Sequence, residues 1–286
     1  MKEQYGKVFK IIRESKNMSL KEVAGDFVTP AQLSRFENGK SNLTVDTFFH
    51  CLNNMDVLQG EFSTFYNTYY QDEDVRTSKE LYLAIEARNI EFFQRYIKDY
   101  EKRYGDYKRK SDRLMIAVFH VFMNRCDPSI IIPEEEKRVI TDYLMSIDEW
   151  CRYELWILSN CARSLSTKTL EILGMEVIKR SQFYDNIEEN ARKTYGLLLN
   201  IIGHLLDRKE ERFASKFIKM LDSANMLETY MLERLQLKFC KAHLRYLQGV
   251  VGGLDEMKEC KHIMEFLDCY ELSIQISDTI SQLTDM

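Results

Sequence analysis

The chain has 286 residues, of which 45% are hydrophobic and 30% charged, enough apolar content to bury a core in each of two units and too much for a disordered polypeptide. Only three prolines and 11 glycines punctuate it, and Leu, Glu, Lys, Arg, Met and Ala dominate, so the expected fold class is all-α. The net charge of −5 excludes a whole-molecule polyanion binder, yet residues 1–45 hold eight Lys/Arg against five Asp/Glu, leaving −8 on the remainder. A basic head on an acidic body suits local phosphate contact by the head. The opening MKEQYGKVFKII has no signal-peptide run, and His120, Asn200 and His204 interrupt the most apolar later stretches, so a cytoplasmic location is expected. The seven cysteines, 51, 126, 151, 161, 240, 260 and 269, form no CxxC and sit in apolar helical surroundings, which reads as buried free thiols in a reducing compartment.

In chain order, Val8, Phe9 and Ile12 make the apolar stripe of a first helix that Asn17-Met18 interrupts. Ser19-Leu20-Lys21-Glu22 is a capping box that starts a second, short helix carrying Leu20, Val23 and Ala24 inward, and Gly25-Asp26 can end it. Thr29-Pro30 repeats the start signal, with a hydroxyl N-cap and a proline at the first helical position. The third helix, Pro30 to Asn38, turns Leu33 and Phe36 inward and leaves Ala31, Gln32, Ser34 and Arg35 outward, then stops at Gly39. A fourth starts at Thr44 and runs through Phe48, Phe49 and Leu52 to Met55. A second helix bracing a third whose first turns face outward is the arrangement that enters the DNA major groove, where Gln can pair with adenine and Arg with guanine. Gln32 and Arg35 are therefore candidates for base or phosphate contact, and Ser19, Lys21, Thr29, Ser34, Lys40 and Asn42 for phosphate contact. The plain alternative for each is a surface residue or a helix cap.

The stretch LKEVAGDFVTPAQLSRFENGKSNLTVDTFFHCLNNMDV resembles the Cro/C1-type (XRE) helix-turn-helix, most diagnostically in Leu33 to Lys40. The turn between Ala24 and Leu33 is one residue shorter than usual and lacks the usual glycine. With the SRFENGKS wording and a long helical body, that departure resembles the Rgg/GadR/MutR regulators of Gram-positive bacteria. The resemblance implies that Glu37 pairs with a basic residue of the first helix, for which Arg13 is the candidate. It also implies a concave helical face that binds a short signalling peptide, with Asn160, Arg163 and Asn200 at contacting positions.

The expected division is a DNA-binding domain over 1–65, a charged linker over 66–77 and a helical sensor and dimerisation domain over 78–286. EFSTFYNTYY reads as a short helix from Gly60 to Tyr70. The body reads as helices at 78–88, 90–104, 108–125, 134–146, 148–164, 168–183, 187–206, 209–224, 229–248, 254–268 and 270–283, with a break at Asp127-Pro128 and Ile132-Pro133. Short loops and helix pairs of roughly 35 to 40 residues suggest a degenerate tetratricopeptide-like array, whose concave face suits an extended peptide.

At about 100° per residue, the helix over 148–164 gathers Cys151, Leu155, Leu158, Ala162 and Leu165 on one side and Glu149, Tyr153, Trp156, Asn160 and Arg163 on the other. An asparagine can hydrogen-bond both groups of a peptide unit, an arginine can take a carboxylate and the two rings supply apolar area. The alternative packs Trp156 under a neighbouring helix and leaves the polar groups as caps. On the helix over 187–206, Gly196 and Gly203 flank Asn200, and two glycines in a helix each cost about 1 kcal/mol against alanine. Either a neighbouring helix packs closely there or a ligand backbone reaches Asn200.

No cofactor is expected. The chain lacks GxGxxG, P-loop, HExxH and nucleophile-elbow motifs, and Cys240 with His243 at i, i+3 is a weak candidate for metal or nucleophile. A helical adaptor with a silent head is the other rival. The expected partners are a double-stranded DNA operator, a short hydrophobic peptide and a second copy of the chain, since one small recognition helix gives modest affinity and two-fold symmetry adds a half-site.

Overall fold

A computed structural model describes residues 2–70, 73–180, 188–224 and 226–285. Among the described residues the elements are all helical and fall into two compact units, Met1–Ala87 and Arg88–Met286.

The first unit holds α1 (Lys2–Ser15), α2 (Leu20–Ala24), α3 (Pro30–Glu37), α4 (Val45–Asn54), α5 (Gln59–Tyr70) and α6 (Glu73–Glu86). Its helix starts are those the polar residues dictate: Ser19, Thr29 and Thr44 each accept the backbone N–H at the third position of the helix they open. Pro30 follows its cap at the first helical position. Val8, Phe9, Ile12, Val23, Ala24, Leu33, Phe36, Cys51, Leu52 and Met55 form one buried core. Each large apolar side chain removed from water there contributes about 1.5–3 kcal/mol. Phe9 meets Phe36 edge-on at 5.5 Å, and Phe48 meets Phe62 at 4.9 Å. Gly6 permits the α1–α3 approach: a Cβ there would lie 2.0 Å from the Phe36 carbonyl oxygen.

The stretch expected as a linker, 66–77, includes helical residues. Its first residues end α5, where Tyr66 and Tyr70 pack against the core, and residues 73–77 begin α6. The division into compact units falls after Ala87.

The second unit contains α7 (Ile90–Tyr107), α8 (Lys110–Cys126), α9 (Glu134–Ser146), α10 (Arg152–Cys161), α11 (Thr167–Arg180), α12 (Glu188–Asp207), α13 (Glu211–Ser223), α14 (Met231–Leu247), α15 (Gly253–Phe266) and α16 (Tyr270–Thr284). Helices α8, α10, α12 and α14 lie side by side in one layer, flanked by α7, α9, α11 and α13, and α15 and α16 continue from α14. This is the helical-hairpin array expected, with most ends within two residues of the periodicity reading. Residues 181–183 and 187 of two expected helices lie outside the described residues.

Three expectations need correction. The helix read over 148–164 is α10 plus a 3-10 turn at Ala162–Ser164, so Glu149 precedes it and is not on its face. Trp150 explains the late start: its side chain is fully buried and its indole N–H donates to the Leu144 carbonyl at 3.1 Å, which holds the entering chain non-helical. Cys151 is exposed at the N-cap position, not core, and Cys269 is half-buried; the other five thiols are buried as expected.

Candidate functional site

In the first unit the site is a helix face. Ser19 Oγ accepts the Glu22 N–H at 3.2 Å while Glu22 Oε2 accepts the Ser19 N–H at 2.7 Å, and hydrogen bonding from the Ser19 hydroxyl first, then from its backbone N–H, holds the Glu22 carboxyl below its ordinary range. Thr29 Oγ1 accepts the Gln32 N–H at 3.2 Å. Both hydroxyls thus serve as caps, and at Thr29 the cap uses a lone pair and leaves the O–H to donate to an anionic oxygen.

On α3, Ala31, Gln32 and Arg35 are exposed and Ser34 is half-buried, on the side opposite Leu33 and Phe36. Lys21, Thr29, Lys40 and Asn42 are exposed around it. Among the described residues the side chains of Lys21, Gln32, Arg35, Lys40 and Asn42 carry no hydrogen bond or ion pair. Behind this face, Arg13 Nε and Nη2 donate to the two Glu37 carboxylate oxygens at 2.6 and 2.9 Å, and Nη1 donates to the Met18 carbonyl at 2.8 Å. The expected Arg13–Glu37 pair is present and ties α3 to α1.

In the second unit the rings of Tyr153 and Trp156 on α10 stack at 6.3 Å with 15° between their planes. Trp156 meets the buried Phe122 of α8 edge-on at 6.1 Å, and the Tyr153 hydroxyl lies 3.4 Å from the Met115 sulfur. The two alternatives for Trp156 therefore both hold in part: it packs on a neighbour and remains half-exposed. One turn further, Asn160 Nδ2 donates to the Trp156 carbonyl at 2.9 Å and Oδ1 accepts from Arg125 Nη1 at 3.2 Å. Asn200 Nδ2 donates to the Ser159 carbonyl at 3.1 Å, joining α12 to α10. Arg163 sits in the 3-10 turn, exposed, with no hydrogen bond or ion pair from its guanidinium among the described residues.

Around these five expected residues the fold gathers four that sequence reasoning missed. Arg125 ends α8, His204 and Asp207 lie on α12, and Arg208 donates to the Leu165 and Arg163 carbonyls, both at 2.8 Å, fixing the 3-10 turn. Burial pushes the His204 imidazole down to about 4, and the charges of Arg208, Arg163 and Arg125 push it the same way. Desolvation by the packed helices raises the Asp207 carboxyl although the residue keeps an exposed edge, and Arg163 and Arg208 oppose the rise. The local balance is three guanidiniums against one carboxylate, with the histidine neutral. No sequence signal joins these residues, because Arg125 meets Asn160 only through α8–α10 packing.

The glycine alternatives separate as well. A Cβ on Gly196 or Gly203 would meet nothing within 4 Å, so close packing of a neighbouring helix is not the reason for either. Cys240 and His243 are both buried, and burial moves the thiol up to about 12 and the imidazole down to about 4, so neither is charged near neutrality. Among the described residues no helix is long and apolar enough to cross a membrane.

A capped α2 bracing an unpartnered polar face on α3, followed by a helical array, defines a helix-turn-helix transcriptional regulator with a large helical body. A helix-turn-helix family profile matches residues 9–57, and the profile of the HTH-type transcriptional regulator Rgg, C-terminal domain, matches residues 94–277. The chain belongs to the Rgg family. Its fold is similar to that of the Streptococcus dysgalactiae SHP pheromone receptor Rgg2, with TM-score 0.79 and 20% identity over 97% of this chain and 99% of the receptor. It is similar to a Listeria monocytogenes EGD-e protein at TM-score 0.83 and 18% identity, covering 100% of this chain and 98% of that one. It also resembles PrgX in the PrgX/cCF10 complex at TM-score 0.71 and 12% identity, covering 99% and 92%.

Proposed function

We propose that this regulator senses a short, largely apolar peptide on the face formed by α8, α10 and α12 of its second unit, and that it acts in the cytoplasm as a homodimer on a pseudo-palindromic operator. Asn160 and Asn200 hold the peptide backbone, Tyr153 and Trp156 form an apolar shelf, and Arg163, seconded by Arg125, takes a carboxylate of the peptide. The observation that carries this reading is the exposed, unpaired Arg163 guanidinium, within electrostatic range of His204 and Asp207 on α12, the helix that also carries Asn200 and is cleared of side chains at Gly196 and Gly203. Similarity to a pheromone receptor and to PrgX in complex with cCF10 supports it. On the operator, Gln32 and Arg35 read base edges, while Ser19, Lys21, Thr29, Ser34, Lys40 and Asn42 hold phosphates.

The test is fluorescence polarisation of labelled synthetic peptides, translated from short open reading frames flanking the gene, against the full chain. Saturable binding that Asn200→Ala and Arg163→Ala weaken supports the face; binding indifferent to both places the sensor elsewhere. Light scattering with and without duplex DNA checks the dimer, for which half-sites about 34–36 Å apart or a multiple are expected.

A further inference from the structure

The second unit is acidic as a whole, but one segment reverses the sign. Between Arg95 and Lys110 there are seven Lys/Arg and three Asp/Glu. Arg95, Lys98 and Lys102 follow at three- and four-residue spacing along α7, and Lys108, Arg109 and Lys110 form its turn into α8. All six are exposed, and none makes an ion pair among the described residues, although Asp99, Glu101 and Asp106 are close in sequence. The one paired cation of the segment is Arg103, 3.8 Å from Asp112.

Aromatic rings hold three of these six cations, and the paired Arg103 as well. Arg103 lies 3.7 Å from the Tyr100 ring centroid, Lys108 5.1 Å from Tyr104, Arg109 5.2 Å from Tyr107 and Arg95 5.9 Å from Tyr96. An ion pair would position a cation and cancel its charge, whereas a ring positions it and leaves the charge intact. Lys108 adopts the left-handed conformation, φ 52°, which turns the chain sharply and keeps the three tip residues together. Six uncancelled charges, four arginines and lysines of the segment lodged over rings, and a stripe leading to a tip make a surface for an extended polyanion with regularly spaced charge.

We propose that the α7–α8 turn of the helical unit is a second duplex-DNA contact, binding backbone phosphates independently of the bases that α3 reads. Duplex DNA is the occupant because the chain is a DNA-binding regulator and duplex phosphates offer an extended charged edge on the scale of this stripe. The contact is sequence-independent, so it adds affinity and salt dependence and carries no operator preference.

The experiment titrates salt against binding of the full chain, wild type and K108Q/R109Q/K110Q, to a 40-base-pair duplex of arbitrary sequence (about four helical turns), with circular dichroism to confirm folding. Each phosphate contact contributes about 0.9 to the slope of log K against log salt, so the triple variant is expected to lose about two to three units of slope. In parallel, a photo-crosslinking residue in place of the exposed Tyr107 is expected to label the duplex, and excess unlabelled duplex to suppress that labelling. An unchanged slope overturns the proposal, as does labelling that never reaches DNA. Retention of wild type but not the variant on vesicles of anionic phospholipid, with equal DNA slopes, would likewise overturn it and assign the stripe to a lipid surface.

Discussion

Arg13 and Glu37, 24 residues apart, share a two-pronged ion pair at 2.6 and 2.9 Å inside the helix-turn-helix unit, with only 3% of the glutamate side chain exposed. The carboxylate pushes the Arg13 guanidinium above its ordinary pKa, chiefly through the hydrogen bond. Removing one partner strands the other charge, so Glu37→Ala is expected to cost about 3–5 kcal/mol, while the paired Arg13→Met/Glu37→Leu change costs far less. Denaturant unfolding of the DNA-binding unit, followed by the loss of operator binding and by circular dichroism, checks both.

The same pair sets the angle at which α3 presents its outer face. Arg35→Ala and Gln32→Ala, which touch no part of the core, are expected each to weaken operator binding by about 1–3 kcal/mol with the fold intact. Specific binding should fall more than binding to arbitrary duplex. Mobility-shift titrations at fixed salt read the result, and unchanged operator affinity in both variants would remove α3 as the reading helix.

How far the sequence discloses this protein depends on whether the determining interaction is local. The caps at Ser19, Thr29 and Thr44 lie within three residues of their targets and are legible, as is the α3 outer face. The Arg13–Glu37 pair is legible only through a family resemblance, because 24 residues separate it. Gly6 carries no signal at all; its reason is a backbone oxygen of α3. In the second unit Tyr153, Trp156 and Asn160 follow from helical spacing, whereas Arg125, His204 and Arg208 join them only when α8, α10 and α12 pack. Trp150 shows the converse failure: helical spacing alone extended α10 across a residue whose buried indole requires a break.

Gly196 and Gly203 offer a separation of stability from function. Because a Cβ at either position meets open space, alanine should stabilise α12 by about 1 kcal/mol per site through its better helix propensity. The same methyl groups stand beside Asn200 and should obstruct a peptide backbone. Gly196→Ala and Gly203→Ala are therefore expected to raise the unfolding midpoint while weakening peptide binding. Lower stability in either would show that the open space is needed by the fold.

Acid should loosen the second unit through two histidines. His243 is 2% exposed with Nε2 unpartnered, and burial holds it at about 4, against 6.5 ordinarily; His204 is held at about 4 by burial and by Arg208, Arg163 and Arg125. Between these values the unfolded chain binds protons that the folded chain refuses. Stability is thus fully present above pH 6.5 and lost as pH falls toward 4, by up to about 1.4 kcal/mol per pH unit for the buried His243. His243→Phe should flatten part of that decline in urea midpoints measured between pH 7.5 and 5; an unaltered slope would show that His243 is protonated within the fold.

The sharpest test of the peptide face turns on the bridge between Arg125 and Asn160. Asn160 spends one amide hydrogen on the Trp156 carbonyl and a lone pair on Arg125, so it orients Arg125 while keeping one N–H and one lone pair for a ligand. Asn160→Ala removes that orientation and the ligand bond together. Asn160→Asp keeps the size but sets a carboxylate against Arg125, which neutralises the guanidinium and repels an acidic ligand. For a peptide bearing a carboxylate, Arg163→Ala should weaken binding roughly ten- to a hundredfold, since a hydrogen bond to a charged group is worth about 1.5–3 kcal/mol. Asn160→Asp should weaken it more than Asn160→Ala. For the same peptide with its acidic side chain replaced by an amide, the order should invert, because the repulsion is gone and the bond to Arg163 is already weak. Polarisation titrations of the two peptides against wild type and the three variants measure this pattern, and equal losses for both peptides would mean that these residues shape the face without reading charge.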